Sequence, residues 1–218
     1  MLDSPRPLII AIDGPSGAGK GTVAREIARR LDYRHLDTGA MYRAVAWKAL
    51  HEGVSLEDEE RVAAMAARAV IDLEPARVAI DGWDVTAAIR TPEIDRAATA
   101  VARLPKVRAV LVERQRKDGQ GGGVVMEGRD IGTVVFPNAD VKIYLDAAPE
   151  ERARRRAADP AHTATSEAAM EMEARDRSDK TRATSPLTIA PDAIAIDTTG
   201  LSVEDVVEKV MEMVEIRN

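Results

Sequence analysis

The residues best placed to do chemistry come early in the chain. Asp13-Gly14-Pro15-Ser16-Gly17-Ala18-Gly19-Lys20-Gly21-Thr22 follows directly on the apolar run Leu8-Ile9-Ile10-Ala11-Ile12. The spacing Gly14-x4-Gly19-Lys20 suits a loop whose backbone N–H groups all turn inward on an anion, where larger side chains would obstruct the approach. Lys20 would add a point charge for the terminal phosphates. Val23, Ile27 and Leu31, with Ala24 and Ala28 beside them, predict a helix whose positive N-terminal end faces the loop. Gly14, Pro15, Ser16, Gly17, Ala18, Gly19, Lys20, Gly21 and Thr22 are therefore expected to hold a nucleoside triphosphate. The hydroxyl residue that usually follows the lysine and ligates Mg²⁺ is replaced by Gly21, with Thr22 one place later.

A second set of candidates is cationic. The chain holds 24 Arg and 7 Lys, a bias toward the planar, bidentate cation suited to phosphate, which a GC-rich genome would also produce. Arg152 and Arg156 lie four apart on one predicted helix face, where both could grip a polyphosphate, although a run of Arg can equally be a solvated face. Arg175, Arg177, Asp179, Lys180 and Arg182 follow. The three histidines, His35, His51 and His162, read as structural or surface residues.

Positioning these groups requires strands that end at one edge. Arg34-His35-Leu36-Asp37 reads as a short strand delivering polar residues at its end, with a helix to about Leu50. Val124-Val125-Met126 ends in Glu127-Gly128-Arg129-Asp130, Val141 to Asp146 gives a fourth strand, and Ala193 to Asp197 a fifth. Five such strands with intervening helices predict an α/β fold: a parallel sheet flanked by helices, binding ligands at the strands' C-terminal ends. Ser55-Leu56-Glu57-Asp58 is expected to be a capping box opening a helix to about Ala69. Val70 to Leu73, Arg77 to Ile80 and Trp83 to Val85, around Asp81-Gly82, signal an antiparallel hairpin inserted in this pattern. Thr91-Pro92 and Pro105 each start a helix, the second running to about Arg116 with Val107, Val110 and Leu111 buried. Lys117 to Gly123 reads as a flexible connector in preference to a second phosphate loop. Ser202 caps a last helix that buries Val203, Val206, Val207, Val210 and Val214.

At 218 residues the chain can form one domain, burying roughly 70% of its unfolded surface. It has no cysteine, so disulfides and thiolate sites are excluded. There is no apolar run of spanning length and no basic-then-apolar leader pattern, so a cytoplasmic protein is expected. A net charge of -6 argues against a nucleic-acid polymer as partner.

The blocks Asp13 to Thr22, Leu36-Asp-Thr-Gly-Ala-Met-Tyr-Arg43, Glu127-Gly-Arg-Asp-Ile-Gly-Thr-Val-Val-Phe-Pro137 and Arg182-Ala-Thr-Ser-Pro-Leu187 together resemble the bacterial type of cytidylate kinase. The similarity runs from the first strand to the last helix and is weakest from Ala157 to Thr165. Glycine at position 21 is ordinary for that group. The resemblance implies a single nucleoside monophosphate kinase domain over 1–218, with a monophosphate-binding insertion at about 64–100 and a lid at 149–168. It implies transfer of the terminal phosphoryl group of ATP, with Mg²⁺, to CMP or dCMP by a monomer, with no membrane partner. Lys20 would follow the migrating group, Arg152 and Arg156 would come in with the lid, and Arg43, Arg129 and Arg182 would hold the CMP phosphate. Tyr42, Arg175 and Asp179 would lie at the ribose, and Thr99, Arg108 and Asp130 at the base; Thr38 belongs to the same acceptor set. Asp130 would accept from the cytosine amino group and repel the uracil carbonyl. Glu127 or Thr22 would serve the metal through water. A kinase for UMP or AMP on the same scaffold is the nearest alternative. A GTP-binding switch fits poorly, since the only asparagines, Asn138 and Asn218, are not followed by Lys.

Overall fold

Alternate residues of the first strand leave it in opposite directions, and the sheet is built on that fact. The structure is a computed structural model and describes residues 6–158 and 166–217. Strand β1 (Ile9–Asp13) sends Ile10 and Ile12 into one apolar layer and Ile9 and Ala11 into another. Burial on both faces is what a continuous apolar run in a parallel sheet requires. The first layer is closed by helix α1 (Lys20–Leu31), through Val23, Ala24, Ile27 and Ala28.

Strand β2 (Arg34–Asp37) leads at once into α2 (Thr38–His51), whose cap is Asp37, its carboxylate accepting from Ala40 N at 2.9 Å. Helix α3 (Glu59–Arg68) begins later than expected. Its cap is Asp58, which accepts from Arg61 N, whereas Ser55 Oγ accepts from Glu57 N two residues on and forms a local turn. The expected capping box is therefore absent: both residues can cap, and the nearer one does.

The inserted hairpin is a three-stranded antiparallel sheet, β3 (Ile71–Glu74), β4 (Arg77–Ile80) and β5 (Trp83–Asp84). Asp81 and Gly82 both have positive φ, 50° and 82°, as the tight turn between β4 and β5 requires. Helix α4 (Pro92–Val101) is capped by Thr91, and α5 (Pro105–Gly119) runs three residues past its expected end. The expected span 64–100 thus starts within α3 and ends within α4. The glycines after α5 form a bonded turn where a flexible connector was expected, with Arg34 N donating to Gly123 O and Gly122 N to Gly119 O.

Strand β6 (Val124–Gly128) is buried throughout and passes into a π-helical turn at Ile131–Val135. Then come β7 (Val141–Asp146), α6 (Pro149–Ala157), α7 (Ser166–Thr181), β8 (Ile194–Asp197) and α8 (Val203–Glu215). The expected lid span includes residues 159–165, which lie outside the described residues, as does His162. Ser202 caps α8 in a full capping box with Asp205, and Val206, Val207, Val210 and Val214 are buried. Val203, in the first turn, is exposed instead. The sheet order is β2-β6-β1-β7-β8, all parallel, and its register sets Asp37 beside Glu127 and Asp13 beside Gly128 and Tyr144. One sheet edge thereby gathers the polar strand ends. No helix among the described residues is long and apolar enough to cross a membrane.

Candidate active site

The loop after β1 turns on glycine. Gly17 has φ 78°, and a Cβ there would meet the Arg152 carbonyl oxygen at 2.7 Å, so the loop packs directly on the backbone of α6. Ser16, Gly17, Gly19, Lys20, Gly21 and Thr22 line a cleft above the sheet edge. Ala18 lines an adjoining cavity with Arg155 and Thr198, whereas Gly14 and Pro15 line neither. Lys20 Nζ donates to Pro15 O at 2.7 Å. Burial, and next the charge of Arg129, push its pKa down to about 7.

The cleft's other wall is made of guanidiniums. Arg43 from α2, Arg108 from α5, Arg129 after β6, and Arg175 and Arg182 from the α7 region all line it, as do Thr38, Tyr42, Thr99, Asp130 and Asp179. All ten residues expected on the acceptor side thus share one cleft with the loop. Each arginine is held by a carboxylate: Arg43 by Asp37 at 2.8 Å, Arg129 by Asp179 at 2.8 Å, Arg108 by Asp130, and Arg175 by Asp95 at 3.0 Å. Arg182 lies 3.5 Å from Asp130 and 3.6 Å from Asp179, and its Nε donates to Ser185 O. Burial would raise the pKa of Asp179, but the charges of Arg129, Arg175 and Arg182 hold it below the usual carboxylate range. Arg43 Nε, Arg108 Nε and Arg182 Nη2 are buried without a hydrogen-bond partner. Buried donors left over in this way suit an arriving anion.

Two placements, those of Asp130 and Arg152, differ in kind from the sequence expectation. Asp130 is bonded to Arg108 and 6% exposed, so its carboxylate is already engaged. Arg156 reaches the cleft and pairs with Asp95. Arg152 does not line the cleft: it pairs with Asp176 and donates to Ser16 O at 3.1 Å, while Asp176 accepts from Ser16 N at 3.2 Å, bracing the loop from behind.

A family model described as cytidylate kinase matches residues 10–216. The chain belongs to the cytidylate kinase family. The cytidylate kinase of Desulfitobacterium hafniense is 51% identical over 213 residues, 94% of this chain and 92% of that protein. That of Geobacillus kaustophilus is 50% identical over 97% of this chain and 98% of its own. A bifunctional pantoate ligase/cytidylate kinase of Synechococcus is 48% identical over 95% of this chain but 40% of its own length. Among solved structures, shikimate kinases of Bacteroides thetaiotaomicron and Acinetobacter baumannii align with TM-scores of 0.52 and 0.50 at 13% and 14% identity. They cover 95% and 97% of this chain, and 98% and 94% of theirs, a likeness of fold alone.

Within this cytidylate kinase framework, several site residues escaped the sequence reading. Asp37 was visible as a residue before a helix, yet its second partner, Arg43, was not inferred. Asp13 is buried at the end of β1 and accepts from Ile131 N at 2.8 Å and Gly132 N at 2.7 Å, tying the loop's root to the turn after Asp130. Burial raises its pKa to about 6 against the pull of those two amides. His35, read as structural, places Nε2 3.0 Å from Glu127 Oε1. Arg90 also lines the cleft. No cluster of three metal-ligating side chains exists among the described residues. Thr22 and Glu127 both face the cleft, an oxygen-donor pair that suits Mg²⁺ bound chiefly by nucleotide phosphates and water.

Proposed function

We propose that the protein transfers the terminal phosphoryl group of ATP to CMP or dCMP, releasing ADP and the pyrimidine diphosphate. The observation that carries this reading is the meeting, in one cleft, of a lysine-bearing phosphate loop and five carboxylate-held guanidiniums. Gly14 to Thr22 hold the donor phosphates with Lys20, and Arg156 adds a cation from α6. Arg43, Arg129 and Arg182 hold the acceptor phosphate, Tyr42, Arg175 and Asp179 the ribose, and Thr38, Thr99, Arg108 and Asp130 the remainder of the nucleotide. Arg152 acts through the loop it braces.

The chemistry follows from charge. A bond forms between an acceptor phosphate oxygen and the terminal phosphorus while the bond to the bridging oxygen of the departing ADP breaks. That attacking oxygen is already anionic at neutral pH, so no side chain need remove a proton, and the protein's task is to align two polyanions and offset their repulsion. Guanidiniums spread over the cleft wall supply that offset where water is scarce. Thr22 and Glu127 would hold Mg²⁺ through water, and the ion would add positive charge to offset that of the phosphates. The same proposal includes action as a monomer in the cytoplasm, in one domain with a monophosphate-binding insertion at 64–100 and a lid at 149–168.

The test is ADP release measured with ATP and each of CMP, dCMP, UMP and AMP. CMP or dCMP is expected to give the highest kcat/KM. No CMP-dependent release, or a higher value for UMP or AMP, overturns the proposal.

A further inference from the structure

Asp95 stands on α4, in the insertion, and does not line the main cleft. It lines a small adjoining cavity with Ser16, Thr99 and Met172. One carboxylate oxygen, Oδ1, accepts from Arg175 Nη1 of α7 at 3.0 Å, and the other, Oδ2, from Arg156 Nη2 of α6. The side chain is only 13% exposed. Both arginines do line the main cleft, one at each end of the proposed reaction: Arg156 with the donor, Arg175 with the acceptor. One buried carboxylate thus bonds a guanidinium from each side, and it stands on α4, which also carries Thr99 of the proposed acceptor site.

We infer that Asp95 is a positioning residue that couples the two nucleotides, holding Arg156 toward the donor phosphates and Arg175 toward the acceptor from a single carboxylate on α4. The inference rests on the proposed reaction and adds a route by which the acceptor changes the donor's affinity. A nucleotide that draws α4 inward carries Asp95 with it, and both guanidiniums follow. Since each guanidinium has five donors and the carboxylate takes only some, the arginines can face phosphate while remaining bound to Asp95. Such coupling is a free energy between two sites and acts equally in both directions. The neighbouring pair Arg96–Glu171, at 2.7 Å, also joins α4 to α7, but neither member lines the main cleft, so it tests whether any bridge between these helices would serve.

The experiment measures Kd for adenylyl imidodiphosphate with Mg²⁺ by calorimetry, with and without saturating CMP. In the unaltered protein CMP is expected to tighten binding by about fivefold or more, a factor typical of coupled sites. In Asp95→Asn that factor is expected to fall to near one. Asp95→Glu, which keeps the charge on a longer arm, is expected to restore part of it, and Glu171→Ala to leave it intact. Circular dichroism checks folding, and if the amide variant does not fold, Asp95→Glu carries the test through a factor between those of the unaltered protein and one. A factor near one without any mutation, or an undiminished factor in the folded Asp95 variants, overturns the inference. CMP-dependent ADP release by the unaltered protein is read separately, so loss of the proposed reaction cannot be mistaken for loss of coupling.

Discussion

The carboxylate of Glu127 takes the space that a side chain at position 21 would need: a Cβ on Gly21 would stand 2.9 Å from Glu127 Oε1. Glu127 is buried and braced by His35 Nε2 at 3.0 Å, so it has little room to retreat. The glycine and the carboxylate are therefore one arrangement, and the lack of a side chain at position 21 is the condition for Glu127 to lie against the loop. Gly21→Ser is expected to displace Glu127, lower kcat by about tenfold or more, near 1.4 kcal/mol of barrier, and raise the Mg²⁺ concentration for half-maximal rate. A magnesium titration of kcat checks it, and an unchanged titration curve removes Glu127 from the metal's surroundings.

Arg43 offers a cleaner separation of the two nucleotides. Burial would raise the pKa of Asp37, but the Arg43 guanidinium and the Ala40 N–H hold it low, so the pair is charged and fixed while Arg43 Nε remains unbonded. Removing a charged hydrogen-bond donor of this kind costs about 1.5–3 kcal/mol. Arg43→Ala should therefore raise KM for CMP by roughly tenfold or more. KM for ATP should change far less, and initial rates with each nucleotide varied in turn decide it; equal effects would move Arg43 off the acceptor.

The parts of this site that could be read from the sequence are those whose partners are close in the chain. The strand, loop and helix from Ile9 to Leu31 follow from an apolar run, glycine spacing and a fourfold repeat, all local signals. The same locality let Thr91 and Ser202 be recognised as caps. It failed at Ser55, where two capping residues stood three apart and sequence could not rank them. It failed again at Arg152: helical spacing shows that Arg152 and Arg156 share a face, but only the fold sends one to Asp176 and the other to Asp95. His35 and Glu127 lie on neighbouring strands, far apart in the chain, and meet because the sheet places β2 beside β6. Each carboxylate partner of the cleft arginines is of this non-local kind or was hidden among 37 acidic residues.

Asp130 tests whether base reading depends on a charge pair. Its carboxylate is bonded to the 2% exposed Arg108 guanidinium, so Asp130→Asn removes one partner of a buried pair, a change that costs about 3–5 kcal/mol of stability in general. The variant is therefore expected to melt at lower temperature. The ratio of kcat/KM for CMP to that for UMP should also fall, because an amide can present either a donor or an acceptor to the base. The ratio, taken well below the melting temperature, separates the two effects. An unchanged ratio in a folded but less stable protein would leave Asp130 with a structural role only.

Lys20 links the loop to pH. Without nucleotide its ordinary pKa of 10.5 is lowered to about 7, first by burial and next by Arg129, with Glu127 and Asp13 opposing. The unfolded chain thus binds more protons than the folded one between about 7 and 10.5, so this group makes the ligand-free protein gain stability as pH rises through that window. Donor phosphates reverse the balance, since a nearby anion favours the charged amine. At about pH 8.5 the free lysine is mostly neutral and the nucleotide-bound one mostly charged, so binding should take up close to one proton, and affinity should weaken as pH climbs above 7. Calorimetry of adenylyl imidodiphosphate binding in two buffers of different ionisation heat reads the uptake directly. Lys20→Met is expected to abolish it, and Lys20→Arg, charged throughout the range, to abolish it while retaining more of the affinity. Uptake by Lys20→Met equal to that of the unaltered protein would assign the proton to another group.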